Sequence, residues 1–74
     1  MFDSNKRLLR LEPWTEVRGI LHSLDEDALH ATISTYTIAF PADLINSLKP
    51  FLGKSVAILR VDDQAKPYRW RLLD

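Results

Sequence analysis

The last residues of the chain alternate strictly. In Tyr68-Arg69-Trp70-Arg71-Leu72 two aromatics and a leucine share one side and two arginines the other, the period of two expected of a half-buried strand. Ahead of it, Lys54 to Val61 holds an uninterrupted apolar run from Val56 to Leu59 and reads as a central strand. Asp62-Asp63-Gln64-Ala65-Lys66-Pro67 between them has the composition of a turn. Glu16 to Leu24 is strand-like, Asp25-Glu26-Asp27 follows as a polar turn, and Ala28 to Phe40 is a second extended run rich in β-branched and aromatic residues. The apolar parity of that run changes partway. Leu29, Ala31 and Ile33 share one side, whereas Tyr36, Ile38 and Phe40 fall on the other. Both sets reach one core only if the chain breaks near Ser34-Thr35, as a bulge in one long strand or as a tight turn between two short ones. Neither residue is the glycine or asparagine that a positive φ favours.

One helix is expected. Pro41 suits its start, Asp43 complements the positive end of its dipole, and Leu44, Ile45, Leu48 and Leu52 recur at three- and four-residue spacing. Pro50 ends or kinks it and Gly53 can close it in the left-handed conformation, giving a helix over 42–48 with a last turn reaching 52. Residues 1–13 form an N-terminal arm ahead of a domain over 14–74. Asp3 or Ser4 suits the cap of a short helix, and Arg7 to Glu12 suits an extended segment equally well. Pro13 stops either one.

The element order is therefore β-β-(β)-α-β-β: a mainly β, single-domain fold with one short helix. Over residues 16–72 this order resembles that of OB-type small barrels, with SH3-like barrels as the near alternative. The resemblance implies a closed sheet, in which Gly19 allows a strand to bend sharply. Fold likeness assigns no function.

Composition narrows the chemistry. At 74 residues the chain holds one core, and with 46% apolar and 27% charged residues it is of ordinary globular type. The absence of cysteine removes disulfides, cysteine-zinc sites and thiol chemistry. No apolar run approaches the length of a membrane span, and the first residues lack a secretory signal, so a cytoplasmic location without membrane association is the expectation. Without covalent staples, most large apolar side chains go to the core. A deep active-site cavity is then disfavoured, and surface binding is expected rather than catalysis.

Ten basic and ten acidic groups cancel but are unevenly spread: residues 23–47 carry four acidic groups and no basic one, whereas residues 48–74 carry six basic groups against three acidic. The most suggestive feature is the arginine-aromatic strand. With Tyr68 and Trp70 (or Trp14) as stacking rings and Arg18, Arg60, Lys66, Arg69 and Arg71 on phosphates, single-stranded nucleic acid becomes a candidate ligand. The plainer alternative places Tyr68, Trp70 and Leu72 on the inward side of the strand, with Arg69 and Arg71 as its solvated side. Net neutrality also weighs against tight nonspecific phosphate binding.

A three-residue turn over Asp25–Asp27 would bring His22 opposite His30, but with no obvious third ligand this pair does not make a zinc site. Thr32, Ser34, Thr35 and Thr37 form no nucleophile elbow, Asp62-Asp63 is a solvated turn, and two glycines make no phosphate loop. No catalytic residue, metal or cofactor is therefore assigned. The expectation is a non-enzymatic binding module, for single-stranded nucleic acid or, alternatively, for a protein partner or homo-oligomeric assembly. In the second case an apolar arm of Phe2, Leu8, Leu9 and Leu11, or a sheet edge, would carry the contact.

Overall fold

A computed structural model describes residues 8–73 of the chain. Six strands form one sheet: β1 (Leu8–Leu9), β2 (Glu16–Asp25), β3 (His30–Ile33), β4 (Tyr36–Ala39), β5 (Ser55–Arg60) and β6 (Tyr68–Leu72). One helix, α1 (Ala42–Leu48), continues into a 3-10 turn over Lys49–Phe51. The strand order is β1-β4-β3-β2-β5-β6. The mainly β character and the single short helix match the sequence reading. The sheet, however, is not closed: among the described residues it ends at β1 on one side and β6 on the other.

The ten-residue β2 organises the fold because it serves two halves of the sheet. Glu16 to Ile20 pair antiparallel with β5, and Leu21 to Asp25 pair antiparallel with β3. Gly19 lies at the bend between them with φ +150°, where a Cβ would come 2.7 Å from the Cβ of Ser34. A bulge follows at once. Leu21 opposes Ile33 and Ser23 opposes Thr32, which leaves His22 as the extra residue. An inserted residue inverts side-chain parity, so Val17 and Leu21 before the bulge and Leu24 after it all face the core.

The parity break at Ser34-Thr35 is a tight turn. Ile33 opposes Tyr36, and Ser34 takes φ +56° without being glycine. Its amide donates to the Ile20 carbonyl at 2.9 Å, which holds the β3–β4 turn over the bend in β2. The β2–β3 connection is longer than a three-residue turn. Leu24 pairs with Ala31 and Asp25 with His30, and the Asp25 carboxylate accepts from the Asp27 and Ala28 amides. His22 and His30 are therefore not cross-strand neighbours.

Helix α1 forms where the sequence places it. Pro41 precedes it with extended backbone, Asp43 sits in its first turn, and Leu44, Ile45 and Leu48 are buried. Gly53 has φ +87° just past the 3-10 turn. The core joins Val17, Leu21, Ala31, Ile33, Ile38, Phe40, Leu44, Ile45, Leu48, Val56 and Ile58, with Leu11, Leu24, Tyr68 and Trp70 packed at its margin. Of the N-terminal arm, Leu8–Leu9 is extended and pairs parallel with Thr37 and Ile38 of β4, and Leu11 reaches the core. Phe2 lies outside the described residues. No helix among them is long and apolar enough to cross a membrane.

Candidate functional site

The alternation of β6 divides the four candidate nucleic-acid residues on that strand between two faces. Tyr68 and Trp70 turn inward and are half-buried. The Tyr68 ring meets Phe40 edge-on at 5.1 Å between centroids, and Trp70 lies 5.2 Å from Phe51. Arg69 and Arg71 point to the exposed outer face, where Arg71 and Arg18 flank Ala57 from either side in one register row. Arg18 already contacts Glu16, with Nε 2.6 Å from Oε1. Among the described residues, neither Arg69 nor Arg71 has an ion-pair or side-chain hydrogen-bond partner.

Arg60 belongs to the inner side. Its guanidinium lies 5.2 Å from the Tyr68 ring centroid, and its Nη1 donates to the Leu11 carbonyl at 3.0 Å and to the Tyr68 hydroxyl at 3.4 Å. It ties the segment before β2 to the end of β5 and is committed to that internal role. Lys66 stands on the loop before β6, whose amides at Ala65 and Lys66 donate to the Asp63 carboxylate. The structure thus groups Arg18, Arg69 and Arg71, and separately Tyr68, Trp70 and Lys66. The arginine and aromatic sets do not share a surface.

The second set borders a groove that sequence reasoning did not find. It holds about 640 Å³ between α1 and β6 and is lined by Pro41, Leu44, Pro67, Tyr68 and Trp70, with Asp43, Ser47, Gln64 and Lys66 among its polar groups. That volume lies in the range of ordinary ligand pockets, roughly 300–1,000 Å³. Pro41 and Pro67 stand in the sequence as a helix start and a turn residue, and only the fold brings them to one opening. Their adjacency to Phe40 and Tyr68 is the sole sequence signal of that arrangement.

Beside the groove runs the free edge of β6. Two hydrogen bonds, Leu73 N–H to Ser55 and Val61 N–H to Pro67, bracket the β5–β6 ladder. In an antiparallel pair every second residue bonds inward, so Arg69 and Arg71 bond to β5. The N–H and C=O groups of Tyr68, Trp70 and Leu72 point away from it. None of these has a backbone partner among the described residues. No three histidine, aspartate or glutamate side chains gather there in a metal-binding cluster. No family model matches the chain, and neither a curated protein nor a solved structure does.

Trp14 is the remaining outlier. It is exposed and takes φ +68° in the turn after Pro13, with its amide donating to the Arg60 carbonyl at 2.6 Å. That backbone conformation costs a residue with a Cβ about 1–2 kcal/mol, and an exposed ring recovers little of it by burial.

Proposed function

We propose that this protein is a non-enzymatic interaction module that takes an extended peptide segment of a partner protein onto the free edge of β6. The observation that carries this reading is the outward backbone of Tyr68, Trp70 and Leu72 beside a groove lined by two aromatic rings and two prolines. In strand addition, main-chain hydrogen bonds supply affinity and pockets for alternate side chains supply selectivity. A guest strand on β6 would continue the β2-β5-β6 half of the sheet. Its groove-facing side chains would meet Tyr68 and Trp70, whose partial exposure leaves apolar area to bury.

The test is selection of linear peptides on the full chain, followed by amide hydrogen exchange on the complex. Slowed exchange at Tyr68, Trp70 and Leu72 is the expected result. Binders that leave these three amides unchanged would overturn the reading.

A second reading, single-stranded nucleic acid on the outer face, is favoured by the grouping of Arg18, Arg69 and Arg71. It has phosphate contacts there without Tyr68 or Trp70 beside them to stack on bases. Three phosphate contacts give a slope of log affinity against log salt near about −2. Oligonucleotide titrations between low and moderate salt test it, and a flat, undetectable response at low salt removes it.

A further inference from the structure

Resting on the strand-addition reading, we infer that the β6 edge selects a partner strand with acidic side chains at alternate positions and rejects a second copy of itself. The alternation of β6 decides both halves. Its groups at Tyr68, Trp70 and Leu72 bond outward, so an antiparallel guest places its hydrogen-bonded residues opposite these and its non-hydrogen-bonded residues opposite Arg69 and Arg71. Non-hydrogen-bonded pairs bring side chains closest, at about 4.5 Å between Cα atoms. Two guest residues, two positions apart, therefore face two exposed guanidinium groups that have no partner among the described residues. Acidic residues there pair bidentately with arginine, and basic ones are repelled.

The same geometry excludes the simplest dimer. A two-fold antiparallel β6–β6 ladder pairs residue i with residue j of the other copy, with i and j summing to a constant. Centred on Trp70, it sets Arg69 against the partner's Arg71. Shifted by one step either way, it sets Arg69 against the partner's Arg69, or Arg71 against the partner's Arg71. Registers that would set Tyr68 or Trp70 opposite an arginine place an outward-bonding residue against an inward-bonding one and form no ladder, so every hydrogen-bonded isologous register of three or more pairs juxtaposes two arginines. An edge that is otherwise a template for its own kind is closed to it by charge, while an acidic strand is admitted.

The guest's other side chains alternate into the groove, where Asp43 and Lys66 both stand on the wall. The balanced pair there leaves the selection of charge to the outer row, and uncharged side chains suit the groove-facing positions.

The experiment titrates the full chain, at low and moderate salt, with an end-capped seven-residue peptide alternating glutamate and valine and with its lysine-for-glutamate counterpart. Binding is followed by amide shifts along β6. The glutamate peptide is expected to bind about tenfold more tightly at low salt, two cross-strand charge pairs each changing sign. The double variant R69E/R71E, altered only at exposed positions, is expected to reverse the preference. Leu72→Pro removes an outward N–H and no β5 bond, as proline on an edge strand can, and should weaken the glutamate peptide several-fold. Equal binding of both peptides, with Leu72→Pro still weakening them, keeps the edge as a binding strand and overturns the acidic selection. Binding of neither peptide overturns the strand-addition reading and this inference with it. A dimer in sedimentation that R69E/R71E leaves intact and Leu72→Pro dissolves would overturn the exclusion of self-pairing.

Discussion

Replacing Gly19 with alanine tests the joint on which both halves of the sheet turn. Gly19 has φ +150°, and an added Cβ would lie 2.7 Å from the Ser34 Cβ and 3.3 Å from the Ser34 nitrogen. Two costs follow. A residue with a Cβ in that backbone region is strained by about 1–3 kcal/mol. Forcing a methyl into a filled space costs about 1–3 kcal/mol more. The hairpin tip cannot simply withdraw, because the Ser34 amide is bonded to the Ile20 carbonyl at 2.9 Å. The expected loss is therefore about 2–6 kcal/mol, a large part of the roughly 4–11 kcal/mol that a domain of this size possesses.

Urea unfolding, followed by tryptophan fluorescence, measures it. With a slope near about 1 kcal/mol per molar urea, the midpoint should fall by about 2 M or more. Ser34→Gly then separates the two costs. It deletes the Cβ that the new methyl strikes and leaves the strain at position 19 in place. The double variant should recover the steric part, a coupling of about 1–3 kcal/mol. Ser34→Gly alone should be nearly neutral, since relief at φ +56° offsets the greater freedom of glycine in the unfolded chain. A Gly19→Ala loss below about 1 kcal/mol, or strictly additive effects of the two changes, would refute the close approach of turn and bend.

In the free protein, amide exchange along β6 should alternate, slow at Arg69 and Arg71 and fast at Trp70 and Leu72; a uniformly slow strand would show that its edge is covered. Trp14→Gly should leave stability unchanged or raise it by about 1 kcal/mol in the same urea assay, because glycine takes φ +68° without strain; a loss above about 1 kcal/mol would mean that the ring packs. Trp70→Ala should cost about 2–3 kcal/mol through its lost contact with Phe51, whereas Arg71→Ala should change stability by under about 0.5 kcal/mol. Equal effects of those two substitutions would contradict the assignment of inner and outer faces.

What the sequence discloses here is whatever depends on neighbours along the chain. Pro41, Asp43 and the Leu44, Ile45, Leu48 spacing place α1 at its observed bounds, and the alternation from Tyr68 to Leu72 places β6. The change of parity near Ser34 is visible, but its resolution as a turn is not. Ser34 accepts a positive φ because its amide is bonded across the sheet to Ile20, a contact with no local signature. The bulge at His22 is likewise written only in the switch from Leu21 to Leu24 as core residues, and missing it shifts the β2–β3 register and pairs the wrong residues across the hairpin. The groove lies further from reach. It depends on α1 standing beside β6, and no periodicity reports which non-consecutive elements meet. Strand alternation separates the arginines from the aromatics, yet which set is inward follows only from Phe40 and Phe51 lying against Tyr68 and Trp70.

The two edges of this sheet are unlike, and the difference bears on what the protein does. An exposed edge invites pairing with other chains, and proteins blunt it by shortening the strand or charging it. Among the described residues β1 is short, with two residues. β6 has five residues with three outward-bonding positions, and its protection is charge alone: Arg69 and Arg71 at the two intervening positions. Charge excludes only some guests. If protection were the whole role of this edge, its flank would need no recess, and Tyr68 and Trp70 would gain from being fully covered by α1. Instead both rings stay partly exposed on a groove of about 640 Å³. Apolar area left uncovered is costly in a chain with so few large side chains to spend on its core. A bound strand would cover that area and take up the outward N–H and C=O groups together, which is what the proposed strand addition asks of the β6 edge.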